Sequence, residues 1–423
     1  MRRRKFLIVK RMKKNDVSIP NCLARRRGCR AGKISALPSS KLMKASLQGT
    51  KSISITLDLY DLKEWEEVLM SRTDERDIIF SRLNYKEGSP EYLDYYRRNP
   101  HLEERDRRLR EPPSKEGNPS YEPLNTPIGD SVFQFLADIK KKAEGPVLSE
   151  KVEVDPQKMT DKLKGMSVYY GASLVGVARL DETFYYSHRG RESEVYGEEI
   201  TQYHNYALVF AVELNKDMID TAPFSPESVE VTKGYLDAAV VGMVISYYLR
   251  TLGYEARNHM DGNYLMPLPS LAAEAGLGEM GKIGVLVTKE FGPRIRLGAV
   301  TTNMELVPDQ KKPFGLLSFC NQCNNCVLRC PSSAIPMDPV YEGRQRKISE
   351  EACFTVWKRV FTDCGICLAS CPFSTQGDIL KKETPPYNKG FVREQVEKHN
   401  IELLKKLQRN ERPYHWLEKI EDL

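Results

Sequence analysis

Eight of the ten cysteines fall between Cys320 and Cys371, and the 290 residues between Cys29 and Cys320 hold none. A disulfide framework spreads its cysteines and belongs to a small secreted domain. Eight thiols at CxxC spacing in a 423-residue chain read instead as metal binding. The first run is Cys320-x2-Cys323-x2-Cys326-x3-Cys330-Pro331, the bacterial ferredoxin pattern for a [4Fe–4S] cluster. The second is Cys353-x10-Cys364-x2-Cys367-x3-Cys371-Pro372, which repeats the ending and stretches the first gap. In this pattern the fourth cysteine of each run reaches across to the other cluster. Cross-ligation therefore assigns Cys320, Cys323, Cys326 and Cys371 to one cluster, and Cys353, Cys364, Cys367 and Cys330 to the other. A zinc ribbon needs only two CxxC pairs and leaves both Cys-Pro endings unexplained. Two clusters this close form a one-electron wire, which implies a redox centre elsewhere in the chain.

Charge divides the chain sharply. Residues 1–50 hold 15 Lys/Arg and one acid, Asp16, while the rest carries a net charge of −8. The folded part is thus mildly acidic, and nothing in its charge calls for nucleic acid. No apolar run approaches the ~18 residues of a membrane span. Arg3-Arg4-Lys5-Phe6-Leu7 resembles a twin-arginine export motif, but Lys10 and Arg11 interrupt the apolar stretch that should follow. The cytoplasm is the favoured compartment. Twin-arginine export with membrane association is the alternative, and a basic arm touching anionic lipid at the membrane periphery is a further reading.

The order of segments predicts five regions. They are a basic leader (1–50), a charged helical and loop region (51–128), an α/β core (129–312), a cluster module (313–375) and a helical tail (376–423). Within the core, Val132, Phe135, Leu136 and Ile139 show helical spacing, and a further helix is expected from Met159. Segments 173–180 and 206–212 read as strands. Ser225-Pro226-Glu227 predicts a helix with Ser225 as its N-cap, running to Leu252 and stopped by Gly253. Its stretch 238–245 is apolar nearly all round and is expected to be buried. Segments 254–257, 285–288 and 295–300 are expected strands, the last two pairing around Gly292-Pro293, and 269–275 is an expected short helix. Alternating strands and helices make this an α/β body.

Gly276-Leu277-Gly278-Glu279-Met280-Gly281 fits GxGxxG, but it follows a helical segment, and no acid lies about 20 residues on, as a Rossmann site requires. These glycines are expected to let backbone approach a flat ligand or a neighbouring chain. The same six residues also carry a resemblance. Tyr235, Leu252-Gly253-Tyr254, Gly262-Asn263, the 276–281 loop, Gly292-Pro293-Arg294-Ile295-Arg296 and the two-cluster module follow one another as in the reductive dehalogenases. The chain resembles that family from about Ser71 to Pro372. The resemblance implies a nitroreductase-like core holding a base-off cobalamin without a histidine ligand, beside a ferredoxin-like module with two [4Fe–4S] clusters. It implies Tyr235 as proton donor and Arg296 as its cationic partner. It also places Asn263, Gly278, Glu279, Met280 and Gly281 against the corrinoid. Tyr264 departs from the family, which commonly has aspartate after the asparagine.

Replacing halogen by hydrogen takes two electrons and a proton, and the cofactor carries the hard step. The implied partners are a small organohalide and an external electron donor, either a ferredoxin, a flavodoxin or a quinol-linked system. Two alternatives stand beside this reading. Epoxyqueuosine reductase shares the core and cofactors, acts on tRNA, and commonly uses aspartate in place of the tyrosine. Asp237 lies two residues from Tyr235, about 200° away around a helix. The other alternative is a non-catalytic electron-transfer protein, which leaves Tyr235, Asn263 and Arg296 unexplained.

Overall fold

A computed structural model describes residues 72–113, 115, 116, 118, 121–201, 204–338, 340–342, 345–375, 385–409 and 412–417. It also describes short strands at Leu7–Ile8, Ile34–Ala36, Met43–Ala45 and Ile53–Ile55. Arg3 and Arg4 of the twin-arginine reading lie outside the described residues. No helix among those residues is long and apolar enough to cross a membrane.

The core is a four-stranded antiparallel sheet built from β1 (Leu174–Arg179), β2 (Tyr206–Glu213), β3 (Ala256–His259) and β4 (Ile295–Thr302). Their order is β1-β2-β4-β3. Side chains alternate between faces along a strand, so β2 feeds two cores. Ala207, Val209 and Ala211 pack on one side with Leu271 and Ala272 of helix α4 (Leu268–Glu274). Leu208, Phe210 and Val212 pack on the other with α2 (Pro156–Tyr169) and α3 (Ser225–Thr251). α1 (Thr126–Ile139) lies along α3.

The structure corrects four expectations. Residues 285–288 do not pair with 295–300. Leu286–Val287 pairs with Glu279–Met280, and β4 takes both of its sides from β2 and β3. β4 is eight residues long and mostly buried, so a central position satisfies its backbone on both edges, which a two-residue partner cannot do. Phe224, not Ser225, is the N-cap of α3, because the Ser225 hydroxyl is directed to Glu122 instead. The strand expected at 254–257 starts at Ala256. Val240, within the stretch expected to be buried, is exposed. Val241, Ile245 and Leu249 of the same helix are fully buried, each contributing roughly 1.5–3 kcal/mol.

A hydrogen-bonded chain crosses the sheet edge. Leu265 N–H donates to His259 Nδ1 at 3.3 Å, so that ring carries its proton on Nε2. Nε2 meets Thr301 Oγ1 at 3.0 Å, and that hydroxyl is then left to donate to His204 Nδ1 at 2.9 Å. Burial holds both imidazoles neutral, lowering His204 to about 4 and His259 well below its ordinary value. Below about pH 6.5 the unfolded chain binds protons that the folded one refuses. Stability should therefore fall as pH drops from about 6.5 toward 4, and His204→Gln should flatten that slope in urea unfolding at stepped pH.

Candidate functional site

The residues on the α3 face of the sheet decide the site. Arg296 is paired with Val212 in β4, so it points toward α3 with Phe210 and Leu208. Gly234 lets the helix come close, since a Cβ there would lie 2.6 Å from Leu214 and 3.1 Å from the Arg296 side chain. The next residue, Tyr235, then meets the guanidinium, and Arg296 Cζ stands 3.7 Å from the Tyr235 ring centroid. Phe133 of α1 packs on the same ring at 5.5 Å. Arg296 Nε is buried with no hydrogen-bond partner.

Tyr235, Tyr264, Arg296, Arg191 and Asp363 all lie deep in the protein yet keep accessible surface. Their remaining accessible surface marks a recess around Tyr235, which Asp261 joins as a charged neighbour. Burial raises the Tyr235 phenol above its ordinary range, and Arg296 pulls it partly back. The phenol therefore holds its proton at neutral pH, with a permanent cation against it. Asp237 points elsewhere, in an ion pair with Lys233 on the outer face of α3.

The cluster thiols adjoin this cavity. Cys371 lies among Cys320, Cys323 and Cys326, while Cys330, Cys353, Cys364 and Cys367 face one another. The helices α5 (Leu316–Cys323) and α6 (Glu350–Val360) carry Cys320, Cys323 and Cys353. Burial raises the free thiols, Cys323 to about 12 and Cys326, Cys353 and Cys364 to about 11. Thiolates there need a cation, which iron supplies. No three such donors among the described residues converge on one ion. A cubane takes one thiolate per iron corner, so separated thiols suit it. α7 (Lys389–Arg409) closes over the module, its His399 Nε2 donating to Ala369 O at 2.7 Å.

Two carboxyls that sequence reasoning passed over join the cavity to the thiols. Glu227, read from sequence only as an acid in the first turn of α3, is fully buried and faces Asp363, next to Cys364. Burial and Asp363 together push Glu227 well above the carboxylate range, so it is held protonated. A Cβ at Gly365, where φ is +56°, would lie 2.0 Å from Glu227 Oε1. The adjacency of Asp363 to a cysteine was the available signal; its partner on α3 was not.

The expected corrinoid contacts are placed differently from one another. Asn263 Nδ2 donates to Lys140 O at 2.9 Å, and its Oδ1 accepts from Arg257, so the side chain ties its loop to the end of α1. Glu279 Oε2 accepts from Phe314 N at 2.7 Å and Leu316 N at 3.1 Å, capping the approach to α5. A Cβ at Gly278 would lie 2.4 Å from Val287 O, and one at Gly281 2.7 Å from the Val287 side chain. Met280 packs partly buried against the α4 core. In this structure the 278–281 loop approaches its own chain. Glu279→Ala should lower the urea midpoint, since two backbone donors lose a charged acceptor worth about 1.5–3 kcal/mol each.

Residues 319–375 match the family model described as a 4Fe-4S dicluster domain. The tetrachloroethene reductive dehalogenase of Sulfurospirillum multivorans is 31% identical over 262 residues, 53% of this chain and 52% of that one. Over that stretch the chain is similar to the tetrachloroethene reductive dehalogenases. It spans about half the length of the curated relatives it matches. A solved reductive dehalogenase, NpRdhA, shares the fold at a TM-score of 0.63 and 22% identity, over 80% of this chain and 48% of that one. A second solved reductive dehalogenase, whose structure suggests a mechanism for B12-dependent dehalogenation, gives 0.58 at 23% identity over 82% and 46%. The epoxyqueuosine reductase of Lactococcus garvieae is 34% identical, but over 113 residues, 25% of this chain.

Proposed function

We infer that the chain is a reductive dehalogenase that exchanges halogen for hydrogen on a small organohalide. The observation that carries this is Tyr235 held under Arg296 in a cavity that adjoins two groups of four cysteines. A base-off corrinoid held there would meet the Arg296 Nε, which has no partner among the described residues, and no histidine among the residues named around Tyr235. When bound, it supplies the low-valent cobalt that breaks the carbon–halogen bond. The chain supplies the rest. Cys320, Cys323, Cys326 and Cys371 hold one cluster; Cys330, Cys353, Cys364 and Cys367 hold the other. The two clusters, so held, would supply single-electron transfer from an external donor. The balance is one organohalide, two electrons and one proton in, and the hydrogenated product and one halide ion out. Tyr235 keeps the proton on its phenol oxygen until carbon needs it, and Arg296 stabilises the phenolate left behind. The core 129–312 and the module 313–375 are the working parts, and the cytoplasm is the favoured compartment.

Anaerobic reconstitution with iron, sulfide and corrinoid tests this. We expect about eight irons and one cobalt per chain, and halide release from an organohalide with a reduced viologen. Zinc in place of iron, or iron without cobalt, would sink the reading.

A further inference from the structure

A lysine stands where a cation is costly. Lys282 is 6% exposed, between the Glu279–Met280 and Leu286–Val287 strands. It makes no ion pair with any carboxylate among the described residues; its ammonium donates to Asn324 Oδ1. Asn324 sits between Cys323 and Cys326 in a left-handed conformation, φ +53°, which aims its side chain back at Lys282. The lysine's charged neighbours are Cys320, Arg346, Cys326 and the exposed Asp338, and the Lys282 backbone N–H also points at the Cys320 sulfur. Arg346, 4% exposed, is a second cation facing Cys320. An isolated buried ammonium is strongly disfavoured unless an anion answers it. A [4Fe–4S] cluster with four thiolates is an anion, and reduction adds another negative charge. Glu279 also faces Cys320, so two cations and one acid surround this thiol group, whereas the other has Asp363 beside Cys364 and Glu350 beside Cys353.

We propose that Lys282 is the built-in countercharge of the cluster held by Cys320, Cys323, Cys326 and Cys371, and that it raises that cluster's reduction potential. The lysine favours the reduced state because that state carries the extra negative charge, and burial keeps water from screening the pair. Net charge and hydrogen bonds to the sulfurs are the levers that set such potentials. The inference rests on the cysteine assignment and the dicluster domain, and it holds whatever the carbon substrate.

The test is an EPR-monitored redox titration of the reconstituted full chain, with iron counted in every sample. Cys323→Ser identifies which of the two reduction steps belongs to this cluster. Lys282→Met removes the charge and keeps the length. We expect it to lower the reduced-to-oxidised ratio of that step at least tenfold at fixed potential, a shift of 59 mV for one electron, with the other step unmoved. Lys282→Arg should keep the wild-type midpoint. Full iron with an unmoved midpoint in Lys282→Met overturns the proposal. If Lys282→Met loses iron, Lys282→Arg decides: retained iron supports a charge role, and equal loss shows a packing role and overturns it. None of these readouts depends on dehalogenation, so failure of the proposed activity leaves this result standing.

Discussion

Tyr235→Phe should cut halide release by roughly 10²–10⁴-fold, the range for a lost general acid, while the clusters remain reducible. Phenylalanine keeps the ring that Phe133 and Arg296 pack against and removes only the phenolic proton. Burial raises the phenol pKa, so in the wild type the proton stays available through neutral pH and is lost only above the ordinary tyrosine range near 10. Arg296→Leu should act in the same direction, because a phenolate left in this buried site then has no cation to face. Asp237→Asn should change little, since Asp237 is occupied with Lys233 on the outer face. Cobalt must be measured beside each rate. The opposite result, Asp237→Asn inactive and Tyr235→Phe active at full cobalt content, moves the assignment to the epoxyqueuosine reductase chemistry.

Arg294→Ala should cause a large loss of stability. The side chain is completely buried, and its Nε donates to Ser374 O at 2.9 Å across to the cluster module. Its Nη1 donates to Glu213 Oε1 at 3.1 Å and to Leu214 O in the core. Alanine leaves two carbonyls and a carboxylate without their cation and opens a cavity between the two parts. The cost should be about 3 kcal/mol, at the low end for a broken buried pair because Glu213 can turn to solvent. The urea midpoint measures it. Arg393→Ala, which breaks only the exposed pair with Glu397, should leave the midpoint unchanged.

Local patterns were readable where one residue type at fixed spacing has few uses. The cysteine runs announced the module, and the Ser-Pro-Glu start and Gly253 bounded α3 to within a residue. What sequence reasoning missed depends on partners distant in the chain. The pairing of 285–288 was misplaced because adjacency in sequence suggested a hairpin, whereas β4 gains more from β2 and β3, whose paired residues lie 82 to 96 and 40 to 46 positions earlier. Glu227 was read only as part of a helix start, and Lys282 drew no reading at all. Only the fold shows them buried against the module, since burial is a property of what packs on a residue, not of the residue. Tyr235 and Arg296 were legible through resemblance, while the glycine that lets them meet, Gly234, carries no signature on its own.

α7 touches both the cysteine module and the α/β core. His399 holds Ala369 of the module, and Lys406 reaches Asp217 and Asp220 beside the start of α3. Together with Arg294, which ties the core to Ser374, this holds the module against the core when the chain folds. In the proposed reaction, transfer from cluster to cavity would then be a first-order event, indifferent to protein concentration and to viscosity. Only the arrival of electrons from outside remains a collision, so diluting the enzyme at constant donor should leave turnover per molecule unchanged, while diluting the donor should not.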